Sequence, residues 1–221
     1  EDDNMLKLVI FDLDGTLVNS IADLADATNR ALEENGYPTH PLDNYRYYVG
    51  NGTRKLIERA MPQGTDPQEL ERIHAIFSDY YRSGCLNKTK PYDGITKVIS
   101  DLHSLGLKCA VASNKPDAFS KQIVSAFFDE SCFELVRGKL DGMKAKPAPD
   151  IVNDIMQKLD VVPEETVMVG DSDVDIITAE NAGMRSIGCV WGFRGREELE
   201  RAGAVYIAES PADIEKICRE I

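Results

Sequence analysis

The sequence predicts an α/β fold: a three-layer α/β/α sandwich around a mostly parallel, Rossmann-like sheet, with an all-helical segment inserted after the first strand. Three observations carry this reading. From about residue 91 onward, short apolar runs alternate with amphipathic helical stretches, the pattern of repeated βα units. Between residues 17 and 87 only helical spacing occurs. The apolar runs also end in polar clusters, as strands do when their carboxyl ends share one edge of a parallel sheet.

Taken in order, LVIF (8–11) reads as a buried strand and runs into DLDGTLVNS. In an extended segment Asp12 and Asp14 project from the same side, where their charges repel. Open water at a loop or a bound cation must compensate. SIADLADATNRALEENG then places Ile21, Leu24, Ala25, Thr28, Ala31 and Leu32 at helical spacing, with Gly36 as the stop. TRKLIERAM and ELERIHAIFSDYYRSG are helical too, and Pro38, Pro41, Pro62 and Pro67 break the segment into pieces joined by turns.

GITKVISDLHSLG opens the second half, with Ile95, Val98, Ile99, Leu102 and Leu105 on one face and Gly106 at its end. LKCAVAS is a strand ending at Ser113 and Asn114. A helix near 117–127, a weak strand FELVRG, a helix near 149–159 and the strand TVMVG follow. DIITAENAG is helical, RSIGCV a strand, and AVYIAES with PADIEKICREI closes the chain as a strand–helix pair. This divides the chain into a core of residues 1–16 and 88–221 and a helical cap of residues 17–87. The cap enters beside the strand ends where ligands bind.

Composition narrows the function. The 221 residues carry 38 acids against 25 Lys and Arg, a formal charge of −13. With no dense basic stripe, nucleic acid is not an expected partner, and any phosphate site must draw on local cations. No run approaches the ~20 apolar residues of a membrane span. The acidic opening EDDNMLKL, without a long apolar stretch after it, predicts no signal peptide. Five scattered cysteines without a CxxC pair, and three histidines, point to reduced thiols in the cytoplasm and not to structural zinc.

Chemistry gathers in FDLDGT, VASNK, KAKPAPD and VMVGDSDVD, each at the carboxyl end of an expected parallel strand. Parallel topology brings Asp12, Asp14, Asp171, Ser113 and Lys146 to one crevice. Carboxylates with water suit Mg²⁺, which would relieve the repulsion between the paired acids. Each residue alone has a plainer explanation: a strand-end Asp forms turns or caps helices, and a Ser there is a turn hydroxyl. Asp173 complements a helix dipole equally well, and Lys139 and Lys144 read as solvated charges. Together, in this order, they make a site.

DxDGT after a first strand, Ser-Asn after a second, Lys-Pro later and GDxxxD after another strand resemble the haloacid dehalogenase-like (HAD) superfamily of aspartate-dependent phosphatases, over nearly the whole chain. The resemblance implies Asp12 as nucleophile, forming a phosphoaspartate, and Asp14 as the acid and base. It implies Mg²⁺ between Asp12, the Asp14 carbonyl and Asp171, with Asp175 supporting its water shell. Ser113 and neighbouring N–H groups, with Thr16 and Asn114, would hold the substrate phosphoryl group, and Lys146 would supply positive charge.

The helical segment resembles the small cap of phosphoglycolate phosphatase relatives, including VGNG before a helix ending in RAM. Gly50 and Gly52 in that turn, with Arg54, would meet a substrate carboxylate, or else form an ordinary interhelical turn with an exposed Arg. TyrTyr at 47–48 and 80–81 reads as cap packing, and WGFRG (191–195) follows a strand near the site. The expected activity is Mg²⁺-dependent hydrolysis of a small phosphorylated metabolite, with 2-phosphoglycolate as favoured substrate. A phosphomutase of the β-phosphoglucomutase type shares these residues. A receiver-like phospho-Asp binding module shares the chemistry, but it carries its phosphorylated Asp later and lacks a long insertion after strand one.

Overall fold

A computed structural model describes residues 5–221. Strand β1 (Leu8–Phe11) is wholly buried, and its alternation sends Val9 and Phe11 to one face and Leu8 and Ile10 to the other. A tight turn follows, in which the N–H groups of Thr16, Leu17 and Val18 all donate to the Leu13 carbonyl. Two-residue strand β2 (Val18–Asn19) leads into helix α1 (Ile21–Glu34), which stops where Gly36 adopts φ +75°.

Helices α2 (Tyr45–Tyr48), α3 (Thr53–Ala60) and α4 (Pro67–Gly84) complete the helical block. Asp66 starts α4 by accepting the Gln68 N–H at 2.8 Å, with Pro67 in the first turn, a strong N-terminal signal. Leu24 and Leu32 of α1 and Leu56 and Ile57 of α3 bury with Ile73 and Phe77 of α4. The chain returns through β3 (Lys90–Pro91), antiparallel to β2, with Val18 opposite Pro91. Both crossings are therefore hydrogen-bonded to each other. Buried Asp23 reinforces them by accepting the Lys88 and Thr89 N–H groups and the Thr89 hydroxyl.

Beyond this point strands and helices alternate: α5 (Ile95–Ser104), β4 (Lys108–Pro116), α6 (Asp117–Phe127), β5 (Leu135–Lys139), α7 (Asp150–Leu159), β6 (Thr166–Gly170), α8 (Asp173–Ala182), β7 (Arg185–Cys189), α9 (Arg196–Arg201), β8 (Tyr206–Ala208) and α10 (Pro211–Glu220). Six parallel strands lie in the order β5-β4-β1-β6-β7-β8. Residues of α5, α6 and α10 cover the face of Val9 and Phe11, while Ile151, Ile155 and Met156 of α7 and Ala179 of α8 cover the other.

The predicted three-layer α/β/α sandwich is this fold. Three details differ from the sequence reading, the first being the short β2–β3 ribbon, whose strand Val18–Asn19 falls in the stretch read as helical only. Strand β4 continues to Pro116, so Asn114 and Lys115 lie within it. Helix α9, which buries Leu199, was not anticipated because its six residues are too short to show a period. Strand β1 is central, with β4 on one side and β6 on the other, so the direction of winding reverses at its carboxyl end and opens a crevice there. Among the described residues no helix is long and apolar enough to cross a membrane.

Candidate active site

That crevice collects the residues the motifs singled out. Asp12 leaves β1 with its N–H bonded to the Val169 carbonyl at 2.9 Å, which holds it beside the end of β6. Lys146 comes in beneath it on the loop before α7, and the peptide bond to Pro147 is cis. Its ammonium donates to Asp12 Oδ1 at 3.1 Å, Asp175 Oδ1 at 2.7 Å and the Ala112 carbonyl at 2.8 Å, which uses all three donors. Burial opposes the charge, yet Asp12 and Asp175 outweigh it and hold the Lys146 ammonium above the usual lysine range.

Asp171 follows β6. It accepts the Phe193 N–H at 2.9 Å and the Thr16 hydroxyl at 3.2 Å. Asp175, one turn along in α8, accepts the Asp171 N–H at 3.1 Å and caps that helix through Ser172. Two glycines permit this crowding. A side chain at Gly170 would sit 2.2 Å from the Asp175 carboxyl carbon. One at Gly15, whose φ is +82°, would sit 2.2 Å from Asp171 Oδ2.

Carboxylate oxygens of Asp12, Asp171 and Asp175 all lie within 4.8 Å of one another. Burial, then the neighbouring Asp175, raises the Asp12 carboxyl well above the carboxylate range. The same two causes push Asp171 up to about 7. Three buried acids share one ammonium, and the cluster is left short of positive charge. An all-oxygen donor set of this kind fits a hard divalent cation such as Mg²⁺.

The carboxylate of Asp14 lies apart from that cluster. It accepts the Ser20 hydroxyl at 2.5 Å and the Lys115 ammonium at 2.8 Å. Lys115 is 3% exposed and also donates to the Tyr81 hydroxyl of α4. Burial and then Asp14 push the Tyr81 phenol well above its ordinary value, so it meets the ammonium as a neutral acceptor.

Between the crevice and the helical block lies a cavity of about 30 Å³. Asp12, Asp14, Ser113, Asn114 and Lys115 line it below, and Leu24, Val49, Leu56, Thr53 and the two glycines of the VGNG turn close it above. The Asn114 amide bridges the two sides, donating to the Gly50 carbonyl at 3.0 Å and the Lys146 carbonyl at 2.9 Å while accepting the Lys146 N–H. A side chain at Gly52 would meet the Asn114 carbonyl at 3.2 Å, so this turn needs glycine to approach the sheet. From the WGFRG loop, Arg194 donates to the Arg46 carbonyl at 2.8 Å and the Val49 carbonyl at 3.1 Å.

The structure thus brings Asp12, Asp171, Asp175 and Lys146 into one cluster, with Asp14, Ser113 and Asn114 at the cavity beside it. Thr16 is fully buried behind Asp171, on which its hydroxyl rests, and does not line the cavity. Arg54 is not brought to the site. Its guanidinium pairs with Glu71 at 2.5 Å on the outer surface, 66% exposed. Its neighbour Thr53 faces the cavity, and one residue along a helix turns the side chain by about 100°. Lys115, Tyr81 and Arg194 were not assigned parts in the sequence reading. Lys115 escaped it because that strand was expected to end at Ser113 and Asn114, whereas β4 runs on to Pro116 with a shift of register.

Comparison with known proteins agrees with this geometry. Residues 9–189 match the family model described as haloacid dehalogenase-like hydrolase. A phosphoglycolate phosphatase of Vibrio parahaemolyticus is 34% identical over 215 residues, covering 95% of this chain and 94% of that protein. One from Aquifex aeolicus is 33% identical over 212 residues, covering 96% of each. The crystal structure of a predicted phosphoglycolate phosphatase from Haemophilus somnus superposes with a TM-score of 0.87 at 29% identity, covering 96% of this chain and 97% of that one.

Proposed function

The chain belongs to the haloacid dehalogenase-like hydrolase family and is a phosphatase of phosphoric monoesters, and from that premise we propose that it hydrolyses 2-phosphoglycolate through a phosphoaspartate on Asp12. The observation that carries the substrate is the small cavity above Asp12, about 30 Å³ beneath the helical block. That is room for about two or three waters, each of which needs about 10–15 Å³. Such a space suits a leaving group of a few heavy atoms, and a hexose would require the helical block to move away. The mostly apolar roof of Leu24, Val49 and Leu56 also offers few partners for sugar hydroxyls, which favours hydrolysis over the phosphomutase alternative. The relatives named for phosphoglycolate support the same choice.

In this reading Asp12 attacks phosphorus and the ester oxygen leaves. Lys146 holds Asp12 in line and balances charge while the phosphoryl group transfers. The Ser113 hydroxyl, at the end of the neighbouring strand, donates to a phosphoryl oxygen. Asp14 gives the leaving alkoxide its proton, then takes one from the water that attacks the phosphoaspartate. Asp12, Asp171 and the Asp14 carbonyl would hold Mg²⁺, with Asp175 fixing the arrangement, and the bound cation would offset the negative charge gathered around the phosphoryl group. Asn114 and Thr16 act by position: one ties the VGNG turn to the sheet, and the other orients Asp171.

A panel of small phosphate esters, assayed with and without Mg²⁺, tests this. The expected result is turnover that chelation abolishes, with 2-phosphoglycolate preferred over hexose phosphates. Preference for a hexose phosphate would overturn the substrate, and one phosphate released per chain would overturn catalysis.

A further inference from the structure

An ester such as 2-phosphoglycolate brings a carboxylate as well as a phosphoryl group into a cavity already lined by two acids, so the carboxylate needs a cation of its own. Arg54 is turned away, and Lys146 has spent its three donors on Asp12, Asp175 and the Ala112 carbonyl. Among the described residues lining the cavity, Lys115 is the only cation. It has donated to Asp14 and Tyr81, which leaves one N–H of its ammonium.

Position fits as well. Lys115 stands two residues beyond Ser113, where β4 shifts register and the Ser113 hydroxyl accepts the Lys115 N–H at 3.1 Å, and both residues line the cavity. A carboxylate whose carbon lies two bonds from the ester oxygen would reach it. Across the cavity helix α3 begins at Gly52 with no side-chain cap, so its first-turn N–H groups are open to an acceptor. The Thr53 hydroxyl, which is bonded to His74 Nε2 at 2.9 Å, faces the same space.

We infer that Lys115 is the specificity-determining residue of this phosphatase, taking the carboxylate of an acidic leaving group while Asp14 attends to its ester oxygen. The inference rests on the proposed substrate class and deepens it. A buried lysine between the sheet and α4 selects esters whose leaving group carries a negative charge next to the phosphoryl group. Neutral alcohols of the same length leave the ammonium without its third partner.

The test compares kcat/KM for 2-phosphoglycolate and for ethyl phosphate, which has the same chain length and no carboxylate, in the wild type, Lys115→Met, Lys115→Gln and Lys115→Arg. All are assayed with Mg²⁺, after thermal melts have established folding. The wild type should prefer phosphoglycolate. Lys115→Met should shrink that preference by about ten- to a hundredfold, the effect of losing one charge-assisted bond. Lys115→Arg should keep most of it. Lys115→Gln retains donors toward Asp14 and Tyr81, and it reads the loss of charge if the methionine variant does not fold. A folded, uncharged variant that loses both esters alike would show that Lys115 only positions Asp14, overturning the inference. So would a variant that keeps the wild-type preference, with the substrate reading left standing. A wild type without any preference for the carboxylate would remove the substrate reading, and this inference with it.

Discussion

Lys146 and Asp175 form a fully buried ion pair at 2.7 Å, each side chain 1% exposed, and the same ammonium reaches Asp12 at 3.1 Å. Removing the lysine would strand two carboxylates that burial already penalises. Breaking a buried pair from one side costs about 3–5 kcal/mol. Lys146→Met is expected to lower the urea unfolding free energy by about that much and to abolish turnover. A variant as stable as the wild type would show that the acids are neutralised without Lys146.

The acidic cluster sets a pH dependence for metal. The folded-state values of Asp12 and Asp171 are raised above those of free carboxyls, Asp171 to about 7, by burial and then by Asp175. A raised carboxyl leaves the folded chain holding protons that the unfolded chain has released. The metal-free protein therefore loses stability as pH rises from about 4, the unfolded value, toward the folded value. A cation binds the deprotonated form, so protons compete with it. Added Mg²⁺ should raise Tm more at pH 8 than at pH 5, as read by calorimetry. An equal shift at both would detach the metal from these acids.

Asp14 carries the proton in the proposed chemistry. Asp14→Asn should slow ethyl phosphate far more than p-nitrophenyl phosphate, whose leaving group needs no acid. Equal losses would take that role from Asp14.

Arg54 sits with Glu71 on the outer surface, and exposed pairs contribute only about 0–1 kcal/mol. Arg54→Ala is expected to leave kcat/KM for 2-phosphoglycolate within about twofold, the small effect of an exposed pair. A loss of tenfold or more would mean that the side chain swings into the cavity during turnover.

Arg194 fastens the helical block through the carbonyls of Arg46 and Val49. Bonds from a charged donor are worth about 1.5–3 kcal/mol. Arg194→Ala should lower kcat/KM by about tenfold or more. It should also speed hydrogen exchange at residues 49–53 without moving Tm by more than a few degrees. Unchanged exchange there would show that Asn114 and the apolar roof suffice to hold the block closed.

Much of this was legible in the sequence, and the reason is topological. Once LVIF and TVMVG are strands of a parallel sheet, their carboxyl ends must share an edge. Asp12 and Asp171 therefore meet without any knowledge of side-chain direction. Lys146 needed the motif, because it follows the end of β5 at Lys139 by a loop whose return to the sheet edge spacing does not show. What spacing does not show is which way a residue turns when neighbours from another element decide it. Thr53 and Arg54 differ by one position, yet one faces the cavity and the other Glu71. Tyr81 reads as packing from its helix alone. Its hydroxyl acquires a partner only because β4 runs past Asn114 and delivers Lys115 beneath it.

The paired crossings at Val18–Asn19 and Lys90–Pro91 have a mechanical consequence. A rigid body joined to another at two adjacent points keeps one easy motion, a swing about the line through them, while twisting and sliding strain both joints. Asp23 pins the second crossing to the base of α1, so a swing of the block would turn about one fixed axis and carry the cavity roof with it. Gly52 at the Asn114 carbonyl and Tyr81 at Lys115 lie on the side of the block that faces the sheet.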